Sequence, residues 1–207
     1  GGSFVYGITV ARQNAVDQAV RQAENLARTL EQHTARMVSG VDLLLSLVDV
    51  GLQEAETSLP ASARFDIIRK LLGEHGHRAG PVRTIVVTNA EGLVRQDSRS
   101  SPPRSMDLGE RSYFTAVKEH PGLGLHIGDV TESQANGAPM VPFVRGLRDA
   151  DGTFRGAAVA VVEPADLNGF YATLAVGEHG AIGLFRADGL LLAGWPEKAA
   201  VLEQLDG

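Results

Sequence analysis

The sequence predicts an α+β protein in which a long N-terminal helix packs on a five-stranded antiparallel sheet, followed by the start of a second, incomplete module. Three observations carry this: a heptad pattern through the first 60 residues, a change to period two after residue 80, and a hairpin sequence that returns 97 residues later. The expected segments are 1–60, the helix; 61–175, the sheet-bearing module; and 176–207, the opening hairpin of a truncated second module.

The helix comes first. Apolar or small residues at Val16, Val20, Ala23, Ala27, Leu30, Thr34, Met37, Val41, Leu44 and Val48 step alternately by four and three, the spacing of a single helical seam. Only Gly40 and Gly51 interrupt the pattern before Pro60, so a helix of about 50 residues, roughly 70 Å long, is expected. The small residues weaken the early seam for a free coiled coil. Packing along its own modules is favoured, and a homodimer contact through the rod stays open. The start, "GGSFVYGITVARQ", reads either as the outer end of a membrane helix or as an ordinary helix start. A second helix, "ARFDIIRKLL", is expected to stop at Gly73.

Period two then takes over. "RTIVVTNAEGLVRQDS" reads as a hairpin, and "LHIGDV", "MVPFVRGLR" and "TFRGAAVAVVEP" as three more strands, the last two joined at Asp149-Ala150-Asp151-Gly152. Between the hairpin and these strands a helix begins near Gly109. "IVVTNAEGLV" at 85–94 matches "IGLFRADGLL" at 182–191, with the Ala-acid-Gly turn aligned. Eleven residues after Pro196 cannot supply the rest of a sheet, so this terminal piece, with a further helix over "EKAAVLEQL", is expected to lie as a fragment against the rod.

Composition narrows the function. A net charge of −6 and the lack of a basic stripe remove nucleic acid as a partner. Without cysteine there are no disulfides, thiolate metal sites or cysteine nucleophiles. No phosphate loop, nucleophile elbow or H-E-x-x-H motif occurs. Glu74, His75 and His77 sit where a helix C-terminus commonly carries histidine. No metal, cofactor or catalytic residue is therefore expected.

Two arginines stand out. On "MVPFVRGL" alternation puts Val141, Phe143, Arg145 and Leu147 on one face, so Arg145 sits among apolar neighbours and needs an anion. That anion is either a ligand or an internal carboxylate such as Asp129 or Glu163. In "LGERSYFTAV", Arg111 falls in the first helical turn beside Tyr113 and Phe114. Helix-start N–H groups, a guanidinium and a tyrosine hydroxyl make a small-acid pocket; the alternative is pairing to Asp107 or Glu110, with Phe114 as core.

"GERSYF", "HPGLGLHIGDV", "PFVRGLRDADGTFRGAAVAVV" and "IGLFRADGLLLAGWP" together resemble the double PAS-like extracytoplasmic sensor domains called PDC or dCache, found in bacterial histidine kinases, diguanylate cyclases and chemoreceptors. The resemblance implies a long helix spanning two PAS-like modules, the membrane-distal one holding a ligand. It also implies a periplasmic location and a membrane-anchored parent protein. Arg111, Tyr113 and Arg145 match ligand-contacting motif positions, and Phe114 pocket wall or core. The chain departs from the pattern at Val117, Val144 and His126, and His126 supplies a replacement contact. The candidate ligand-binding set is thus Arg111, Tyr113, Phe114, His126, Asp129, Phe143 and Arg145. The expected ligand is a small carboxylate gripped by the two arginines, in a sensor and not an enzyme. The alternative is a ligandless interaction module that uses the rod to respond to a periplasmic protein.

Overall fold

A computed structural model describes residues 2–56, 61–75, 80–174 and 181–196, the side chains within 2–19, 55–56 and 61–65 excepted. The helix expected over 197–205, together with His77 and His179, lies outside the described residues. Two compact units divide the chain, Gly1–Met37 and Val38–Gly207.

Helix α1 runs Gly2–Glu56, 55 residues, so neither Gly40 nor Gly51 breaks it. In the second unit its seam is buried at Val41, Leu44 and Val48, joined by Leu45 and Leu52. In the first unit Val20, Ala23 and Ala27 of the seam are exposed. Helix α2, Ala61–His75, continues through Gly73, where a side chain would meet open space. It crosses α1 at Gly51, where an added Cβ would stand 3.1 Å from the Ile67 Cγ2.

The sheet is built from β1 (Val82–Thr88), β2 (Val94–Asp97), β3 (His126–Ile127), β4 (Thr131–Glu132), β5 (Pro139–Arg148) and β6 (Phe154–Val162). All pairings are antiparallel in the order β2-β1-β6-β5-β3, with β4 also on β5. Of the strand expected over "LHIGDV" only β3 forms, and β4 begins just past it. Pro142 on β5 has no N–H to offer this edge, and pairing slips beyond Gly128, whose N–H still reaches the Pro142 carbonyl at 2.9 Å.

Helix α3 (Ser112–Glu119) covers one face, here the front. Its Tyr113, Phe114 and Val117 form a core with Val86, Met140, Val144, Ala157 and Val159. The other face, the back, lies under α1, because Arg145 of β5 bonds Asp42 and Arg155 of β6 bonds Asp49 at 2.7 Å. One irregularity allows both assignments on β6. Phe154 packs into the front core and Arg155 points back, yet Ala157 is again in front, because a bulge between these residues changes the alternation. Gly156, at φ +149, makes the bulge; a Cβ there would stand 2.0 Å from the Thr88 carbonyl oxygen.

Helix α4 (Pro164–Ala172) follows the sheet, and β7 (Ile182–Phe185) with β8 (Leu191–Trp195) forms the second hairpin. This hairpin packs on α4, where Asn168 accepts the Gly194 N–H at 2.9 Å. Its geometry repeats the first. Thr88 pairs with Val94 and Phe185 with Leu191 after the same register shift, and both turns carry a positive-φ glycine, Gly92 at 99° and Gly189 at 89°.

Candidate functional site

The loop from β2 to α3 sets the position of Arg111. Asp97 is fully buried and holds this loop by accepting from Arg104 Nε at 2.6 Å and the Arg99 N–H at 2.9 Å. The returning chain then crosses the first hairpin turn, with the Leu108 N–H on the Gly92 carbonyl at 2.9 Å. Gly92 and Gly109 touch so closely that a Cβ on Gly92 would stand 2.3 Å from the Gly109 Cα. At the other end of α3, Arg148 donates to the carbonyls of Val117 at 3.0 Å and Lys118 at 2.9 Å, compensating the helix C-terminus. The short helix is therefore fixed at both ends.

Arg111 is the residue that caps α3, with extended φ −73° and ψ 132°, instead of lying inside a helix begun near Gly109. Its side chain is half-buried, and Nη1 donates to Thr131 Oγ1 at 3.2 Å. Neither Asp107 nor Glu110 pairs with it: the Asp107 carboxylate accepts the Gly109 N–H at 2.8 Å, and no ion pair of Arg111 occurs among the described residues. Tyr113 is 2% exposed, and its hydroxyl is buried without a hydrogen-bond partner among the described residues. Burial pushes this phenol above its ordinary pKa, and the nearby Arg111 charge pulls the other way. The ring is confined as well, since a Cβ on Gly128 would stand 2.9 Å from the Tyr113 Cβ. Phe114 is core, its ring edge-on to Phe154 at 5.6 Å between centroids.

The expected set divides. Arg111, Tyr113, Phe114 and His126 share the front face, His126 because it stands opposite Val144 in the ladder. Arg145 does not join Arg111. Alternation places it with Phe143 on the back, where its anion is Asp42 of α1, neither Asp129 nor Glu163 and not a ligand shared with Arg111. Phe143, 2% exposed, is back-face core. Asp129 is taken by Arg186, whose Nη1 lies 2.8 Å from it and also donates to the Ile127 carbonyl at 3.0 Å. His126 is half-buried, and its pKa falls below the ordinary histidine value through burial and then the Arg186 charge, with Asp129 opposing. Thr131 was missed; only the β4 pairing, invisible in so short a segment, brings it to Arg111. Asp42 and Asp49 were also missed, although two aspartates one heptad apart beside a seam are a readable signal.

No protein-family profile matches the sequence, and no curated protein sequence does. Solved structures do. The extracellular domain of the histidine-kinase candidate rpHK1S-Z16 matches at TM-score 0.76 and 26% identity, over 88% of this chain and 73% of that one. The ligand-binding domain of the Pseudomonas fluorescens chemoreceptor CtaA, in complex with L-serine, matches at TM-score 0.61 and 16% identity, over 88% of this chain and 76% of that one. A domain of a sensory box/GGDEF family protein from Vibrio parahaemolyticus matches at 0.62 and 13%, over 88% and 74%. No helix among the described residues is long and apolar enough to cross a membrane. With its helix laid on one sheet face, its short capped helix on the other and a second hairpin begun, the chain has the fold of these extracellular sensor domains of histidine kinases and chemoreceptors, consistent with a PAS-like sensor of the PDC type.

Proposed function

We propose that this chain is the extracytoplasmic sensor region of a transmembrane signalling protein of the histidine kinase or diguanylate cyclase type. Its segment 61–175, the membrane-distal module, binds a small carboxylate on the front face. Segment 176–207 opens a membrane-proximal module. The reading is non-enzymatic, in keeping with neighbours that are ligand-binding domains.

One observation carries the ligand assignment: among the described residues, a buried tyrosine hydroxyl has no hydrogen-bond partner and the guanidinium beside it no carboxylate. A buried donor left unmade costs about 1–3 kcal/mol, and a carboxylate supplies its acceptor while neutralising Arg111. Because the Tyr113 pKa is raised, the phenol stays protonated and keeps its donor at ordinary pH. The L-serine complex of the chemoreceptor neighbour supports a ligand that carries a carboxylate. Signalling follows where the ligand binds one packing of α3 and the sheet better than another.

A thermal-shift screen of organic acids and amino acids tests this. A true ligand at 100 times its Kd adds about 2.7 kcal/mol of stability. Arg111→Ala abolishes the gain, whereas Arg145→Ala lowers the starting stability and leaves the gain intact. Stabilisation by acids that survives Arg111→Ala would sink the proposal.

A second reading, a ligandless module that dimerises through α1 to respond to a periplasmic protein, is favoured by the exposed seam at Val20, Ala23 and Ala27. A monomer at all concentrations in sedimentation would remove it.

A further inference from the structure

On the back face, remote from Arg111, a cleft of about 150 Å³ opens between α1 and the sheet. This is about ten times the space a single water requires. Its apolar lining is Leu52 of α1, Val87 of β1 and Leu147 of β5; its polar lining includes Asn89, Arg95, Gln96 and Arg155.

Two of these side chains lack a protein partner among the described residues. Gln96 is only 8% exposed, yet its amide has no hydrogen-bond partner among the described residues. Arg95, the extra residue at the β1–β2 register shift, is exposed and forms no ion pair or side-chain hydrogen bond among them. Arg155 differs, since Asp49 at 2.7 Å and Asp149 at 3.1 Å already offset its charge. The unmatched charge at the cleft is therefore the positive one of Arg95.

The second hairpin supplies a control within the same chain. It repeats the first at an offset of 97 with the same register, and there Leu192 and Ala193 take the places of Arg95 and Gln96. Both are buried, at 4% and 2% exposure. The hairpin thus folds with apolar residues at these positions, and the polar pair of the first hairpin needs another explanation.

We infer that this cleft is a second binding site, for a small monocarboxylate with a short apolar tail. The carboxylate meets Arg95 and the Gln96 amide, two donors otherwise unmatched. The tail lies on Leu52, Val87 and Leu147, which removes apolar surface from water. The ligand would touch α1 at Leu52 and the sheet at Val87 and Leu147, so occupancy bears on how the helix seats on the back face.

The inference does not rest on the front-face site, and one experiment separates them. Butyrate is titrated into the protein while the side-chain amide signals of Gln96 are followed by NMR, with 1-butanol and butylamine as controls. Butyrate is expected to shift the Gln96 amide saturably and the controls are not. The double variant Arg95→Leu/Gln96→Ala, which adopts the residues of the second hairpin and is followed through the backbone amides of Val87 and Leu147 in the cleft lining, is expected to bind butyrate there at least tenfold more weakly. Arg111→Ala is expected to bind it unchanged. An unmoved Gln96 signal in the wild-type protein overturns the inference, even where the double variant fails to fold. Saturable shifts of the Val87 and Leu147 amides that survive the double variant overturn it too, and Gln96 shifts lost only in Arg111→Ala assign butyrate to the front face.

Discussion

The two faces of the sheet are built on different physics. The front is an apolar core under a short helix, and among the described residues its Tyr113 hydroxyl has no hydrogen-bond partner and its Arg111 guanidinium meets only the Thr131 hydroxyl. The back is covered by a long helix whose Asp42 and Asp49, one heptad apart, engage Arg145 and Arg155 on neighbouring strands. An arginine with a carboxylate in reach registers a helix on a sheet, whereas an arginine without one is available for a ligand. A guanidinium among apolar residues is consequently no sign of a binding site until the layer covering it is known.

The division depends most on the bulge in β6, and breaking it has the largest expected effect. Gly156→Ala puts a Cβ onto the Thr88 carbonyl oxygen in a backbone conformation that side chains rarely adopt. A loss of about 3 kcal/mol is expected in urea or thermal unfolding, from strain and overpacking together. Without the bulge Phe154 and Arg155 cannot serve the front core and Asp49 at once. A loss below about 0.5 kcal/mol would mean that the strand does not need this irregularity to serve both faces.

A smaller and opposite effect sharpens the contrast. Tyr113→Phe removes a buried hydroxyl that no group among the described residues satisfies, so the unliganded protein is expected to gain about 1 kcal/mol. The same variant is expected to lose part of any stabilisation by a carboxylate. A hydroxyl on the back face would show no such exchange of stability for binding. Destabilisation on removing the oxygen would point to an internal partner, and the front face would then be as self-sufficient as the back.

Much of this was legible in the sequence, with limits that are physical. The heptad seam gave α1, and Ala-acid-Gly turns gave both hairpins, because these signals are local. Alternation correctly grouped Val141, Phe143, Arg145 and Leu147. It could not say which layer covers that group, since the carboxylate that decides it is Asp42, 103 residues away. Pro142 spoils the edge pairing, so the expected strand is cut down to β3 and a further short one, β4, pairs beyond it, and with that Thr131 becomes the neighbour of Arg111. Asp129 looked free for a ligand because its partner, Arg186, belongs to the second hairpin.

His126 gives the smallest effect and probes where the front face meets that hairpin. Its pKa lies below 6.5 because burial and the Arg186 charge both disfavour the imidazolium, and Asp129 opposes them. The folded form therefore binds its proton less readily than the unfolded chain. Stability from this source is fully present above about pH 6.5 and is lost as pH falls through the folded pKa. Removing each charge should move the NMR titration in a defined direction. Asp129→Asn lowers the His126 midpoint further, and Arg186→Gln raises it. Arg186 also holds Asp188, whose pKa it depresses to about 2, so wild-type Arg186 keeps a carboxylate partner down to strongly acidic pH. The clip between the hairpin and β3 includes the Arg186 bond to the Ile127 carbonyl, an acceptor that does not titrate. A His126 midpoint that ignores both substitutions would mean that the hairpin does not stand against β3 in solution, and the front face would be open on the side where Arg186 now closes it.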